Sequence, residues 1–156
     1  MPRKSTFGNI TGPVLVSACL LGIPCRYDCR TKPRPDFLDD LDIIPVPICP
    51  EQLGGLPTPR PPAYFIGGDG QDVLEGRATL MNREDVDVTH HFIHGAENVC
   101  KIAQLLKIKW AILKEKSPSC ATHLVWTKDS LVSGMGVTAA MLKQMGVSLM
   151  NEDGMV

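Results

Sequence analysis

Short apolar runs of strand length, separated by helical or turn-rich stretches, restrict this chain more than any other feature. Val14-Leu15-Val16-Ser17-Ala18, Ile43-Ile44-Pro45-Val46-Pro47-Ile48 and Trp110-Ala111-Ile112-Leu113 are such runs, and a further one covers 147–150. Between them, Asp87-Val88-Thr89 supplies an N-cap for a helix over 89–107. Its apolar positions Phe92, Ala96, Val99, Ala103 and Leu106 recur at spacings of three and four, so one face packs on a sheet. Another helix opens after Gly134-Met135-Gly136-Val137-Thr138 and runs through Met145.

The expected order is a strand at 13–18, a short acidic helix near 36–41, a strand at 43–48, the long helix, strands at 109–114 and near 123–126, the last helix, and a strand at 147–150. Pro45 and Pro47 place the second strand at an edge or on a bent course. Residues 50–62, with Gly54-Gly55, Pro57, Pro59, Pro61 and Pro62, read as a rigid irregular loop. The stretch 63–80, with Gly67-Gly68-Asp69-Gly70, reads as a small hairpin beside the main sheet. Strands alternating with amphipathic helices predict an α/β fold, a mostly parallel (Rossmann-like) sheet flanked by helices. Residues 1–12 are expected as a flexible lead-in and 13–156 as one domain, in keeping with a length of 156 residues.

A net charge of −1 leaves no basic face for a long nucleic acid. Met1-Pro2-Arg3-Lys4-Ser5 leads into no hydrophobic signal region, and nowhere do eighteen apolar residues run together. A cytoplasmic protein with no membrane segment is expected. In that reducing compartment the six cysteines read as thiolates for metal or catalysis, not as disulfides.

Their placement is specific. Cys19 and Cys49 follow predicted strands directly, Cys120 follows the third within Lys116-Ser117-Pro118-Ser119, and Cys25 lies in the loop after Cys19. Ligands of open parallel sheets bind beyond the carboxyl ends of the strands, so these thiols mark a metal or cluster site. No C-x-x-C occurs, and the gaps match neither ferredoxin pattern. Soft thiolates select zinc, copper(I) or an iron–sulfur cluster. His90, His91, His94 and His123 could complete a zinc site, although helical-turn histidines are commonly solvated. Three cysteine ligands would leave one cluster iron open for chemistry, whereas four, with Cys25 as the fourth, would fit an electron carrier. Cys100, on the helix, reads as core packing.

Taken together, several blocks resemble a known family. Ser17-Ala18-Cys19-Leu20-Leu21-Gly22 with Cys25-Arg26-Tyr27-Asp28, and Cys49-Pro50-Glu51-Gln52-Leu53-Gly54-Gly55-Leu56-Pro57-Thr58-Pro59-Arg60, resemble the SACLLG and CPExxGGLxxPR motifs of the thiouracil desulfidase family. Asp87-Val88-Thr89, the run Leu113 to Cys120 ending in SPSC, and Gly134-x-Gly136-Val137-Thr138-Ala139-Ala140 resemble its remaining blocks, in the same order.

The resemblance implies iron–sulfur-dependent, non-redox desulfuration of a thiolated pyrimidine, 2-thiouracil giving uracil and hydrogen sulfide. It implies a 4Fe-4S cluster on Cys19, Cys49 and Cys120, with one open iron that binds the substrate sulfur. It implies Glu51 as the acid/base residue, Ser117 or Ser119 as catalytic contacts, and Arg26, Tyr27 and Gly136 as substrate contacts. The partner is then a small thiolated nucleobase, free or as a thiolated tRNA base. Two residues depart from the family pattern, since Ala121 and Cys29 stand where glycine is usual. Ala121 is expected to crowd a turn, and Glu51 has an alternative as a loop carboxylate paired with Arg26 or Arg60. The Gly134-Met135-Gly136 pair reads as a helix entry near the site, with anion contact at the helix end as its alternative. A different class of reading keeps the same cysteines in a non-catalytic cluster or zinc protein, for electron transfer or sulfur carriage.

Overall fold

The computed structural model describes residues 10–156. The main sheet has four strands, β1 (Thr11–Ser17), β2 (Asp42–Ile48), β5 (Trp110–Leu113) and β8 (Ser148–Asn151), in the order β2-β1-β5-β8. All three pairings are parallel. From β1 the chain crosses to β2 on one side, and from β5 it crosses to β8 on the other. The two crossovers leave in opposite directions, so the loops after β1 and β5 part over the sheet's carboxyl edge and open a crevice there. β2 is an edge strand, as its prolines require; two residues apart, both project their missing N–H groups to the same, unpaired side.

Side chains alternate between the two faces. Leu15, Ala111, Leu113 and Leu149 pack against Val99, Cys100 and Ala103 of α3 (Thr89–Leu106) and against Ala139 and Leu142 of α4 (Val137–Gln144). Val14, Val16, Ile112 and Met150 pack on the opposite face against Leu20 and Leu38, which come from 3-10 turns at Ala18–Leu21 and Asp36–Asp40. Cys100 is thus core, as its helical position implied. Leu106 is not; it is 46% exposed beyond the helix face that meets the sheet.

Four expectations change. Thr11 and Gly12 belong to β1, and the rest of the expected lead-in, apart from Ile10, lies outside the described residues. Residues 50–62 begin with a one-turn helix, α1 (Pro50–Leu53), because Pro50 at its first position has the φ a helix needs and no N–H to lose. The 63–80 hairpin is interrupted: β3 (Ala63–Ile66) and β4 (Thr79–Asn82) pair antiparallel, with α2 (Gly70–Leu74) between them. Asp69 caps that helix, its carboxylate accepting from Gln71 N and Asp72 N while Asp72 accepts from Asp69 N, so the glycines surround a capping box and not a turn. The strand near 123–126 stands outside the main sheet. As β6 (Leu124–Trp126) it pairs antiparallel with β7 (Leu131–Ser133), a strand the sequence reading passed over.

Candidate active site

β1 ends at Ser17, and the 3-10 turn that follows buries Cys19 at the sheet edge. Ser17 Oγ accepts from Lys114 N at 2.9 Å, tying the ends of β1 and β5 together. β2 delivers Cys49 directly into α1, which carries Glu51. That short helix is docked backbone to backbone on α3. A Cβ at Gly54 would stand 2.0 Å from His91 O, and one at Gly95 2.0 Å from Pro50 O. His91 Nδ1 donates to Gly54 O at 2.8 Å and completes the seam.

Cys120 is held by its own turn. Ser117 Oγ accepts from Ser119 N at 3.2 Å and from Cys120 N at 3.1 Å. The carbonyls of Pro118 and Ser119 accept from Val137 N and Ala139 N, and the carbonyl of Ala121 accepts from Gly136 N. These bonds consume N–H groups at the start of α4, and Gly136 packs there against the thiol turn while Gly134 packs against Asp69 and Val125. At Gly136 a Cβ would lie 2.4 Å from Ser119 O, which explains the glycine. Ala121 is fully buried in the cluster of Phe65, Phe92, Val125 and Val137.

Arg60 joins two motifs. Its Nε donates to Glu51 Oε1 at 3.1 Å, its Nη2 to Cys25 O at 2.9 Å, and its Nη1 to Thr58 Oγ1 at 2.8 Å and Pro57 O at 3.1 Å. Its backbone N–H donates to Tyr27 O at 2.9 Å. Glu51 therefore has the Arg60 partner that sequence left as an alternative, yet its carboxylate still faces a cavity.

That cavity has a volume of about 450 Å³, and Cys19, Cys25, Cys49, Cys120, Glu51 and Ser117 all line it. Arg26 and Tyr27 stand on its wall as well. Arg26 is also 3.5 Å from Asp28, so it serves the loop and faces the cavity at once. Two expected site residues are elsewhere. Ser119 is fully buried behind the turn, its hydroxyl without a partner among the described residues, and Gly136 is buried in the α4 seam. Neither lines the cavity, whereas Ser117 of the same turn does. Sequence reasoning did not single out Lys32, Arg83, Lys114 and Trp126, which also line the cavity.

The thiols are electrostatically distinct. A hydrogen bond from the Cys25 thiol, aided by Gln52 N–H and Arg60, outweighs burial and brings Cys49 down to about 7. The same bond, with burial, pushes Cys25 up. Burial pushes Cys19 and Cys120 up; a bound cation reverses that, since a coordinating thiol is deprotonated. Among the described residues no three Cys, His, Asp or Glu side chains gather closely enough for a single ion. Cys19, Cys49 and Cys120 nevertheless line one cavity, and thiolates are the donors that iron–sulfur clusters take. His90 and His94 share a helix face as expected but line no part of this cavity, and His94 stands 3.8 Å from Glu97. No helix among the described residues is long and apolar enough to cross a membrane.

YbbK of Bacillus subtilis (strain 168), an uncharacterized protein, is 38% identical over 146 residues, which cover 90% of this chain and 95% of YbbK. A solved structure of the [4Fe-4S]-dependent thiouracil desulfidase TudS superposes with a TM-score of 0.78 at 34% identity, covering 92% of each chain. The 2-thiouracil desulfurase family matches residues 14–154, and this chain is a member of it.

Proposed function

We propose that this protein desulfurates a thiolated pyrimidine by hydrolysis, converting 2-thiouracil and water to uracil and hydrogen sulfide. The supporting observation is that Cys19, Cys49, Cys120 and Glu51 line one cavity at the sheet's carboxyl edge. Cys19, Cys49 and Cys120 hold a 4Fe-4S cluster, in keeping with the TudS likeness. When bound, such a cluster with one iron free of protein ligand supplies a Lewis acid for the substrate sulfur.

The chain's own residues supply the rest. Glu51 accepts a proton from the attacking water and returns it to the departing sulfur. Arg60 holds one carboxylate oxygen of Glu51, which lines the cavity. The Ser117 oxygen already accepts two N–H groups, so its hydroxyl hydrogen is available to a carbonyl or ring nitrogen of the substrate. Arg26 and Tyr27 border the entry. Water replaces sulfur on the same carbon, so no electron enters or leaves.

A second reading draws on Cys25, 4% exposed on the same cavity wall beside Cys49. With four thiols the cluster would be closed and the protein an electron or sulfur carrier. Anaerobic reconstitution separates the two. The desulfidase reading expects sulfide release from 2-thiouracil, retained cluster and activity in Cys25→Ala, retained cluster without activity in Glu51→Gln, and loss of both in Cys120→Ala. A stable cluster that turns over no thiopyrimidine would sink it.

A further inference from the structure

We propose that the indole of Trp126 is the stacking platform on which the pyrimidine ring of the substrate lies. The proposal rests on the desulfidase reading and adds what holds the ring while the reacting residues act on the thiocarbonyl.

Trp126 and Tyr27 are the aromatic residues among those lining the cavity. Tyr27 is already engaged, with the Arg26 guanidinium 5.7 Å from its ring centroid. Trp126 has neither ring partner nor cation over its face among the described residues, and it is 44% exposed. So large an apolar surface is left uncovered at the cavity that holds the thiols. Elsewhere the structure covers its aromatic residues: Tyr64 and Phe65 are buried, and Arg83 lies 4.8 Å over the Tyr64 ring.

The backbone beneath Trp126 is fixed, so the exposure is not that of a loose loop. Trp126 pairs with Leu131 in the β6–β7 ladder, and the next residue, Thr127, bridges to Phe65 of β3. Strand alternation then sets the direction. Val125 is fully buried in the core while Leu124 and Trp126 share the outer face. The hairpin is also inserted between the Cys120 turn and the start of α4, so the indole rides on the frame that positions a cluster ligand.

Stacking on an aromatic side chain takes any flat π face, and it acts on the ring rather than on the sulfur. It therefore predicts a specific discrimination. Thiourea carries the same nitrogen–thiocarbonyl–nitrogen unit as 2-thiouracil but has no ring to stack. The platform should favour 2-thiouracil over thiourea and hold uracil, which has no sulfur for the metal.

The test uses the cluster-loaded protein. In Trp126→Ala, the KM for 2-thiouracil should rise about 5- to 100-fold with kcat little changed, and the preference for 2-thiouracil over thiourea should fall by a similar factor. Trp126→Phe, which keeps a smaller ring, should lie between the two. In a Trp110→Phe background the remaining indole is Trp126, and its fluorescence should change saturably with uracil. An unchanged KM and preference in folded, cluster-loaded Trp126→Ala, or emission indifferent to uracil, would overturn the proposal. If Trp126→Ala does not fold, Trp126→Phe and the uracil titration decide. A wild type that releases no sulfide from any thiopyrimidine counts against the desulfidase reading, and the titration still decides the stacking.

Discussion

Arg60 Nε lies 3.1 Å from Glu51 Oε1, and the arginine side chain is 3% exposed against 16% for the glutamate. The guanidinium does more than neutralise. Its other donors reach oxygens of Cys25, Pro57 and Thr58, so the loop after β1 and the helix after β2 are locked into one frame. A planar fork with fixed donor directions suits this, and an ammonium does not. Arg60→Lys should keep the charge and lose the orientation, with kcat down about tenfold or more and iron content near that of the wild type. Arg60→Ala should also lower stability by about 3–5 kcal/mol, because it strands a mostly buried carboxylate. Kinetics and iron analysis on the two variants check this. Full kcat in Arg60→Lys would mean that Glu51 needs no such support.

The seam between α1 and α3 carries a second prediction. The nearest atoms to a Cβ on Gly95 belong to the backbone, Pro50 O at 2.0 Å and Pro50 C at 2.9 Å, and neither can rotate away. Gly95→Ala must push α1 off α3 and carry Cys49 and Glu51 with it. Alanine's better helix propensity, worth ~1 kcal/mol, offsets part of a ~1–3 kcal/mol overpacking cost. The diagnostic effect is therefore functional: less iron retained per chain and slower sulfide release, with a modest fall in melting temperature. An unchanged iron content would show that α1 tolerates the shift.

What could be read from sequence here depended on whether the backbone alone decided the matter. Cys19 and Cys49 follow strands by position, so any parallel sheet carries them to its edge. Glu51 lies two residues beyond Cys49 and cannot be far from it. Ser117 and Ser119 look alike in sequence, and only the turn, capped by the Ser117 hydroxyl and clasped by Val137 and Ala139, determines which one faces the cavity. Asp69 was ambiguous in another way, because aspartate among glycines suits a hairpin as well as a helix cap. Trp126 was legible in principle: the Leu124-Val125-Trp126 alternation puts the indole on an outer face, but its strand has three residues and its partner β7 is mostly exposed.

Cys29 offers a test of backbone strain that leaves the cavity alone. It is exposed, and its φ of 60° lies in the left-handed region that glycine adopts freely. Cys29→Gly should relieve roughly 1 kcal/mol of strain, a rise of about 2–4 °C in melting temperature for a chain of this size. Sulfide release should stay at the wild-type level. A lower melting temperature would show that the thiol makes a contact worth more than the strain.

Glu115 makes acid sensitivity predictable. Burial raises its pKa, but the N–H groups of Leu124 and His123 and the side chains of Asn151 and Thr122 outweigh this and bring it from the ordinary 4.5 down to about 2. The distances are short: His123 N and Leu124 N each lie 2.9 Å from Oε1, and Thr122 Oγ1 2.8 Å from Oε2. This carboxylate anchors the entry to β6 and stitches it to Asn151 of β8, with Asn151 Nδ2 at 3.0 Å. Its pKa is depressed in the folded state, so its stabilisation is complete above about pH 4.5 and drains away as pH falls through about 2. Glu115→Gln keeps the shape and removes the charge, and should cost about 2 kcal/mol near neutrality. Urea midpoints for wild type and variant at neutral pH and near the acid end should therefore converge as the solution is acidified. A gap that stays constant would assign the cost to lost packing and not to the ionised carboxylate.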